Sequence, residues 1–176
     1  LLFGSGILIL SDELDRLIQV FIPAPDYIVD MSSLMHPETV AGFIVFIIAV
    51  VVVAPFGEEI LFRGFLQQFL EKHWKDSTKA VLITSLFFAM IHLNPYWMIQ
   101  IYFLGLILGF LAWRTGSVVP SLILHGLNNA MAIILSFSIG ESNSLYTWNG
   151  HVSPWVLLLA IGLIFFGFKG INQRKV

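Results

Sequence analysis

A run of fourteen residues without a charge, AGFIVFIIAVVVVA at 41–54, stands directly before two adjacent glutamates and an arginine. A membrane-spanning helix needs about 20 mainly apolar residues, so this run predicts the core of a span that extends beyond it. Charged side chains at membrane depth are costly and generally serve a function. Glu58, Glu59 and Arg63 are therefore candidate functional residues.

The composition agrees with a membrane protein. Charged residues make up 11% of the chain and hydrophobic residues 57%, whereas ordinary soluble domains carry about 25% charged residues. We predict an all-α, polytopic bundle of transmembrane helices that is integral to the membrane. The predicted spans are 37–71, 80–93, 96–113, 118–138 and 154–168.

The chain divides at residue 40 into two predicted regions. In residues 1–40, the opening LLFGSGILIL is interpreted as the end of a truncated helix. Residues 12–23 are interpreted as a short amphipathic helix that lies at the interface or connects two elements, and 24–38 as a loop. Residues 41–176 are expected to form the transmembrane core.

Lysine and arginine occur in alternate loops of this predicted topology. They stand at 72–79, at Arg114 and in the tail after 168, whereas the loops 94–97 and 139–153 have none. Basic residues are enriched in cytoplasmic loops, so we expect the C-terminus to be cytoplasmic. Membrane lipids are the expected surroundings. The absence of any basic cluster argues against nucleic acid as a partner, and the absence of cysteine excludes disulfides and thiolate chemistry.

Helical spacing separates the two glutamates. Glu59 and Arg63 are four positions apart with the acid first, which is the favoured orientation for an ion pair on one helix. Glu58 points about 100° away from Glu59 on the same helix. We therefore predict that Arg63 neutralises Glu59 and that Glu58 has no partner nearby in the sequence.

Two further pairs that contain polar residues follow the same four-residue spacing. Phe88 precedes His92 by four residues, and His125 precedes Asn129 by four. Residues at this spacing share one helix face. A helix bundle could therefore bring one carboxylate, two imidazoles and one carboxamide to a single cavity.

This set of side chains suits hydrolysis by water. Glu58 and His92 can hold and deprotonate a water molecule, and His125 and Asn129 can donate hydrogen bonds to a developing oxyanion. The expected substrate is a peptide or protein. No cofactor is expected; a zinc site made by Glu58, His92 and His125 is the less favoured alternative, since the HExxH pattern is absent.

Each signal also has an ordinary structural interpretation. Glu58 and Glu59 could be acids in the first turn after Pro55 that interact with a helix dipole. His92 could be an interfacial residue at a helix end. His125 could join Asn129 in hydrogen bonds between helices, which contribute only about 0.6 kcal/mol each. The joint occurrence of all these residues favours the functional interpretation.

Three motifs carry a resemblance to a known family. They are EExxxR in Glu58 to Arg63, FxxxH in Phe88 to His92, and HxxxN in His125 to Asn129. With these motifs in this order, the chain resembles the CAAX-protease and bacteriocin-processing family of membrane endopeptidases over about residues 50 to 131.

The resemblance implies an intramembrane endopeptidase that acts on lipidated CAAX-type or related peptides. It implies that Glu58 activates water with help from His92, and that His125 and Asn129 stabilise the oxyanion. Glu59, Arg63 and Phe88 are implied to support the site. The alternative is a non-proteolytic membrane protein of the bacteriocin-immunity or secretion type.

Overall fold

The structure, a computed structural model, describes residues 2–23, 25, 37–138 and 145–173. The described chain is helical except for one small hairpin, which confirms the all-α class. Its elements are α1 (Leu2–Phe21), α2 (Val40–Trp74), α3 (Ser77–Met90), α4 (Met98–Thr115), α5 (Val119–Ser138), β1 (Thr147–Trp148), β2 (His151–Val152) and α6 (Pro154–Gln173).

Residues 2–21 form one helix, α1, which joins the opening segment to most of the predicted 12–23 helix. Hydrogen bonds from Arg16 to Asp12 (3.0 Å) and from Gln19 to Asp15 (2.6 Å) stabilise its polar second half. Such pairs four residues apart support a helix. Most of the predicted 24–38 loop lies outside the described residues, and the division of the chain at residue 40 stays a prediction.

α2 contains the apolar run and the acidic motif in one helix. Thr39 caps its start by accepting a hydrogen bond from Gly42 N (3.0 Å). Two wider, π-helical stretches, Ala49–Val53 and Ile60–Gln67, flank the short α-helical part that holds both glutamates. Such wide turns interrupt helices frequently at functional sites.

Pro55 accounts for part of this irregularity. Ala54 N donates to Ala49 O, five residues back. If the same five-residue spacing continued, Val50 O would accept a hydrogen bond from the N–H of residue 55. That residue is proline, which has no N–H. Val50 O is therefore left for a donor from elsewhere in the protein.

The helices pack closely at positions occupied by glycine. A Cβ atom on Gly105 of α4 would lie 3.0 Å from Ser85 Cβ of α3. A Cβ atom on Gly6 of α1 would lie 2.6 Å from Ala160 O of α6. Close approach of backbones through small residues is a general feature of helix packing in membranes.

Three of the described helices are long and apolar enough to cross a membrane, namely Val40–Trp74, Met98–Thr115 and Pro154–Ile171. α3 and the Val119–Leu135 part of α5 are shorter apolar helices. Five spans were predicted from the sequence, of which 80–93 is the shortest. At 1.5 Å per residue, a 14-residue helix such as α3 reaches about 21 Å, short of the about 30 Å hydrocarbon core.

The predicted loop 139–153 contains a short antiparallel hairpin, although residues 139–144 lie outside the described part. Thr147 pairs with Val152, and Trp148 with His151. The turn residues Asn149 and Gly150 both have positive φ, 50° and 83°. Asn-Gly is the favoured pair for such a turn because both residues tolerate that conformation.

Candidate active site

The Glu59–Arg63 pair lies in the core of the bundle. Glu59 and Arg63 are each 1% exposed, and Arg63 Nη1 donates to Glu59 Oε1 at 2.7 Å. Arg63 Nη2 also donates to Gly105 O at 3.1 Å, and its guanidinium lies 4.3 Å from the centre of the Phe88 ring. The ion pair predicted from helical spacing is confirmed.

His125 of α5 adds a second partner to Glu59. Its Nδ1 lies 2.9 Å from the Glu59 Oε1 atom that Arg63 binds. A carboxylate oxygen only accepts hydrogen bonds, so His125 Nδ1 carries the proton. In the neutral ring, His125 Nε2 is then left with a lone pair. Sequence reasoning missed this contact because the two residues are 66 positions apart.

The neutral His92 ring has the same tautomer as His125, but a backbone carbonyl fixes it instead of a carboxylate. It lies in the turn that follows α3, and its Nδ1 is 2.7 Å from Phe88 O. Because a backbone carbonyl accepts only, Nδ1 carries the proton and Nε2 of the neutral ring presents a lone pair. The buried Phe88 ring contacts the rings of His92 and His125 edge-on, with centroid distances of 4.9 and 5.5 Å.

The two Nε2 atoms face Glu58. Glu58 Oε2 lies 4.0 Å from His92 Nε2 and 3.7 Å from His125 Nε2. That oxygen is buried and has no hydrogen-bond partner among the described residues. Polar atoms separated by slightly more than a hydrogen bond are commonly bridged by water. The predicted convergence of Glu58, His92 and His125 is present.

Asn129 holds the helices together at the edge of this cluster. Its Nδ2 donates to Val50 O at 2.9 Å, the carbonyl that Pro55 leaves without a helical donor. One turn before it, a Cβ atom on Gly126 would lie 2.8 Å from Val51 O, so glycine permits the close approach of α5 to α2.

Gln67 and Gly109 continue the contact between α2 and α4 beyond Arg63. Gln67 is 1% exposed, and its Nε2 donates to Gly109 O at 3.0 Å and to Glu71 Oε1 at 3.0 Å. Sequence reasoning missed the burial of Gln67. The four-residue spacing Glu59, Arg63, Gln67 was the available signal.

The zinc alternative gains no support from the geometry. Among the described residues, no group of three or more His, Cys, Asp or Glu side chains is arranged to hold a metal ion. Tetrahedral zinc ligands at about 2.0–2.1 Å from the metal lie about 3.4 Å from each other. The separations of 3.7 and 4.0 Å between Glu58 Oε2 and the two histidines are longer.

The fold and the site define a helical membrane protein with a charged centre made by α2, α3 and α5. A model of the family described as type II CAAX prenyl endopeptidase Rce1-like matches residues 40–131. That range is just over half of the chain and contains every predicted site residue, and the chain belongs to this family of CAAX-type intramembrane proteases. It is an integral membrane protein. Neither the curated proteins nor the solved structures include a match.

Proposed function

We propose that this protein is an intramembrane endopeptidase in which Glu58 and His92 activate a water molecule for attack on a peptide bond. The observation that carries the proposal is the pair of histidine Nε2 atoms 3.7–4.0 Å from the unpartnered Glu58 Oε2. The unpartnered Glu58 Oε2 and the lone pair of His92 Nε2 are both acceptors. Water is the small donor that satisfies them.

In the proposed reaction, the water donates one hydrogen bond to Glu58 Oε2 and the other to His92 Nε2. Glu58 takes the first proton as the water oxygen attacks the carbonyl carbon of the peptide. The C–N bond then breaks, and Glu58 returns that proton to the leaving amine nitrogen. General base and acid action of this kind contributes about 10²- to 10⁴-fold to a rate.

The oxyanion of this reaction needs donors, which we assign to His125 and Asn129. His125 donates from Nε2 only as an imidazolium, because Nδ1–H is engaged by Glu59. Asn129 has a second Nδ2 hydrogen beside the one that it donates to Val50 O, and Asn128 Nδ2 donates to its Oδ1 at 3.3 Å.

The proposed substrate is a membrane-borne peptide, in the CAAX case one whose prenylated C-terminus loses its last three residues. Family membership supports a peptide substrate in the membrane. Leu61, one turn from Glu58 on the same helix, is 53% exposed, and the Glu58 side chain is itself 27% exposed. In a bilayer the Leu61 side of α2 faces lipid, so a lipid-anchored peptide can approach Glu58 from that side.

We also propose that the C-terminus is cytoplasmic, because basic residues occupy alternate loops. A single cysteine in place of the exposed Lys169 tests this, since the chain has none of its own. In oriented vesicles, a membrane-impermeant thiol reagent should modify it from the cytoplasmic side only. Modification from the opposite side would reverse the orientation.

The activity is tested with purified protein in detergent and a prenylated CAAX reporter peptide. Mass spectrometry should detect release of the C-terminal tripeptide, with a slower reaction for the same peptide without the prenyl group. A metal chelator should leave the rate unchanged. Loss of cleavage with the chelator would indicate instead a metal-dependent mechanism at a site made by Glu58, His92 and His125.

If neither peptide is cleaved, the non-proteolytic alternative of bacteriocin immunity or secretion gains weight. Under that alternative, Glu58→Gln and His92→Ala leave the cellular phenotype intact. Loss of the phenotype in both variants would instead indicate a hydrolase with a different substrate.

A further inference from the structure

A second polar region adjoins the site at Arg63. A cavity of about 260 Å³ opens between the last turns of α2, the end of α4 and the α4–α5 turn. Its lining includes Arg63, Gln67, Glu71, Lys72, Ala112 and Ser117.

Two fully buried polar atoms on the lining residues lack partners. Arg63 Nε and Gln67 Oε1 have no hydrogen-bond partner among the described residues, although each side chain is only 1% exposed. An unsatisfied buried group costs about 1–3 kcal/mol, so native proteins rarely leave one without water or a ligand.

The two atoms are complementary. Arg63 Nε–H is a donor and Gln67 Oε1 is an acceptor, so one water molecule can accept from the first and donate to the second. The cavity volume of about 260 Å³ is far above the about 10–15 Å³ that one water needs. The site therefore meets both conditions for buried water, polarity and room.

We infer that this cavity is filled with water and that Gln67 is a positioning residue, which holds an ordered water against Arg63 Nε. Glu59 and Gly105 hold Nη1 and Nη2 of Arg63, and the water accepts a hydrogen bond from Nε–H, the guanidinium nitrogen that has no other partner among the described residues. Through Glu59, the same guanidinium sets the position of His125. The effect on catalysis rests on the proposed function, whereas the presence of water does not.

A site for an anionic ligand fits the cavity less well. Arg63 and Lys72 are positive, but Glu59 already neutralises Arg63. Glu71 and Gln67 Oε1 add acceptors to the lining, and these repel a carboxylate or a phosphate. Water accepts and donates, and so matches the mixed lining.

The presence of water is tested by cysteine accessibility, because the chain contains no cysteine. Ala112→Cys places a thiol on the cavity wall, four positions from the end of α4 at Gly116. Ala80→Cys is the matched control: it lies four positions after the Asp76 cap of α3, at the same end of the bundle, and is 0% exposed. A charged, membrane-impermeant thiosulfonate should modify Ala112→Cys at least tenfold faster than Ala80→Cys. Equal protection of both thiols would overturn the inference.

The positioning role is tested with Gln67→Met, which keeps the length of the side chain but removes its polar atoms. We expect a fall of about tenfold in kcat with little change in KM, because the group acts on the centre and does not touch substrate. The pH–rate profile should shift as well, a change that a purely structural role would not produce. The control is Gln100→Met, which removes a part-buried glutamine that bonds Ser11 on α1.

An unchanged pH–rate profile in Gln67→Met, together with a normal kcat, would refute the positioning role. Should Gln67→Met fail to fold, Ala112→Leu provides the second variant, since it fills the cavity with apolar volume and should produce the same loss of kcat. If the wild-type protein cleaves no reporter, the proposed function fails, and the thiosulfonate labelling still decides whether the cavity holds water.

Discussion

Two clusters of carboxylates and histidines can be compared in the described part of the chain, and they differ in whether the buried carboxylate oxygens all have hydrogen-bond partners. The hairpin clamp, made by Asp12, Glu13, Arg16, Tyr146 and His151, ties α1 to the β-hairpin. In this clamp Asp12 Oδ2 accepts from Arg16 Nε at 3.0 Å and from Tyr146 OH at 2.9 Å. Glu13 accepts from His151 Nδ1 at 2.9 Å and from Val152 N at 2.7 Å.

In the candidate site, Glu59 Oε1 accepts from Arg63 and His125, but its buried Oε2 has no hydrogen-bond partner among the described residues. The buried Oε2 of Glu58 also lacks one, and it lies within 4.0 Å of the Nε2 atoms of His92 and His125. Residue types alone therefore do not separate a structural cluster from a reactive one. What separates them is whether the hydrogen bonds of the buried acid are complete.

The clamp also keeps its phenol in the donor form. Burial, with a smaller contribution from the neighbouring Asp12 carboxylate, raises the pKa of Tyr146. Tyr146 therefore stays protonated over the ordinary pH range and continues to donate to Asp12. The clamp is thus a fixed attachment of the hairpin, outside the three long spans.

The largest effect is expected from removing a histidine of the site. His92→Ala should lower kcat by about 10²- to 10⁴-fold, because the water loses one of its two acceptors. His151→Ala, the matched change in the clamp, should leave kcat unchanged. The reporter assay measures both rates. An equal fall in the two variants would contradict the distinction between the candidate site and the clamp.

The next largest effect is on stability. Arg63→Met leaves the buried Glu59 without its charge partner, which should cost about 3–5 kcal/mol of unfolding free energy. Arg16→Met removes a part-buried ion pair with Asp12 near the surface and should cost about 0–1 kcal/mol. Denaturant unfolding in detergent measures both; similar losses would mean that burial does not distinguish the two arginines.

A smaller effect is expected within the clamp. Glu13→Gln weakens two charge-assisted hydrogen bonds, and we expect a loss of about 1 kcal/mol in stability with kcat unchanged. Thermal unfolding and reporter cleavage measure the two quantities separately. A large loss of kcat would show that the clamp takes part in the reaction.

The smallest effect concerns Asp15, which lies outside the three long spans. Burial raises the pKa of Asp15 above its usual 3.8, and the hydrogen bond from Gln19 lowers it by less. Because the folded-state pKa is raised, protonation of Asp15 favours the folded state. This stabilisation is fully present below the unfolded-state pKa and is lost as pH rises through the folded-state pKa. Asp15→Asn should therefore be slightly more stable than wild type at pH 7, and the advantage should vanish near pH 3. A variant that is less stable at pH 7 would contradict the sign.

Sequence reasoning identified the parts of the site that depend on local spacing. The Glu59–Arg63 pair and the unpartnered Glu58 follow from the geometry of one helix. The motif resemblance identified the family, which the match to residues 40–131 confirms. The roles of the site residues stay predictions until the variants are measured.

Contacts between distant segments could not be predicted in this way. The bond of His125 to Glu59 and that of Asn129 to Val50 join residues 66 and 79 positions apart. Spacing within one helix does not determine how separate helices pack, yet the structure brings Glu58, His92 and His125 together.

The most direct test of the account is a paired measurement of Glu58→Gln and Glu13→Gln in one reporter assay. Both changes replace a carboxylate by an amide of the same shape, one in the incomplete cluster and one in the complete cluster. We predict that Glu58→Gln abolishes cleavage while its thermal unfolding stays close to that of wild type, and that Glu13→Gln cleaves at the wild-type rate. Full cleavage by Glu58→Gln would contradict the central claim that this carboxylate activates the water.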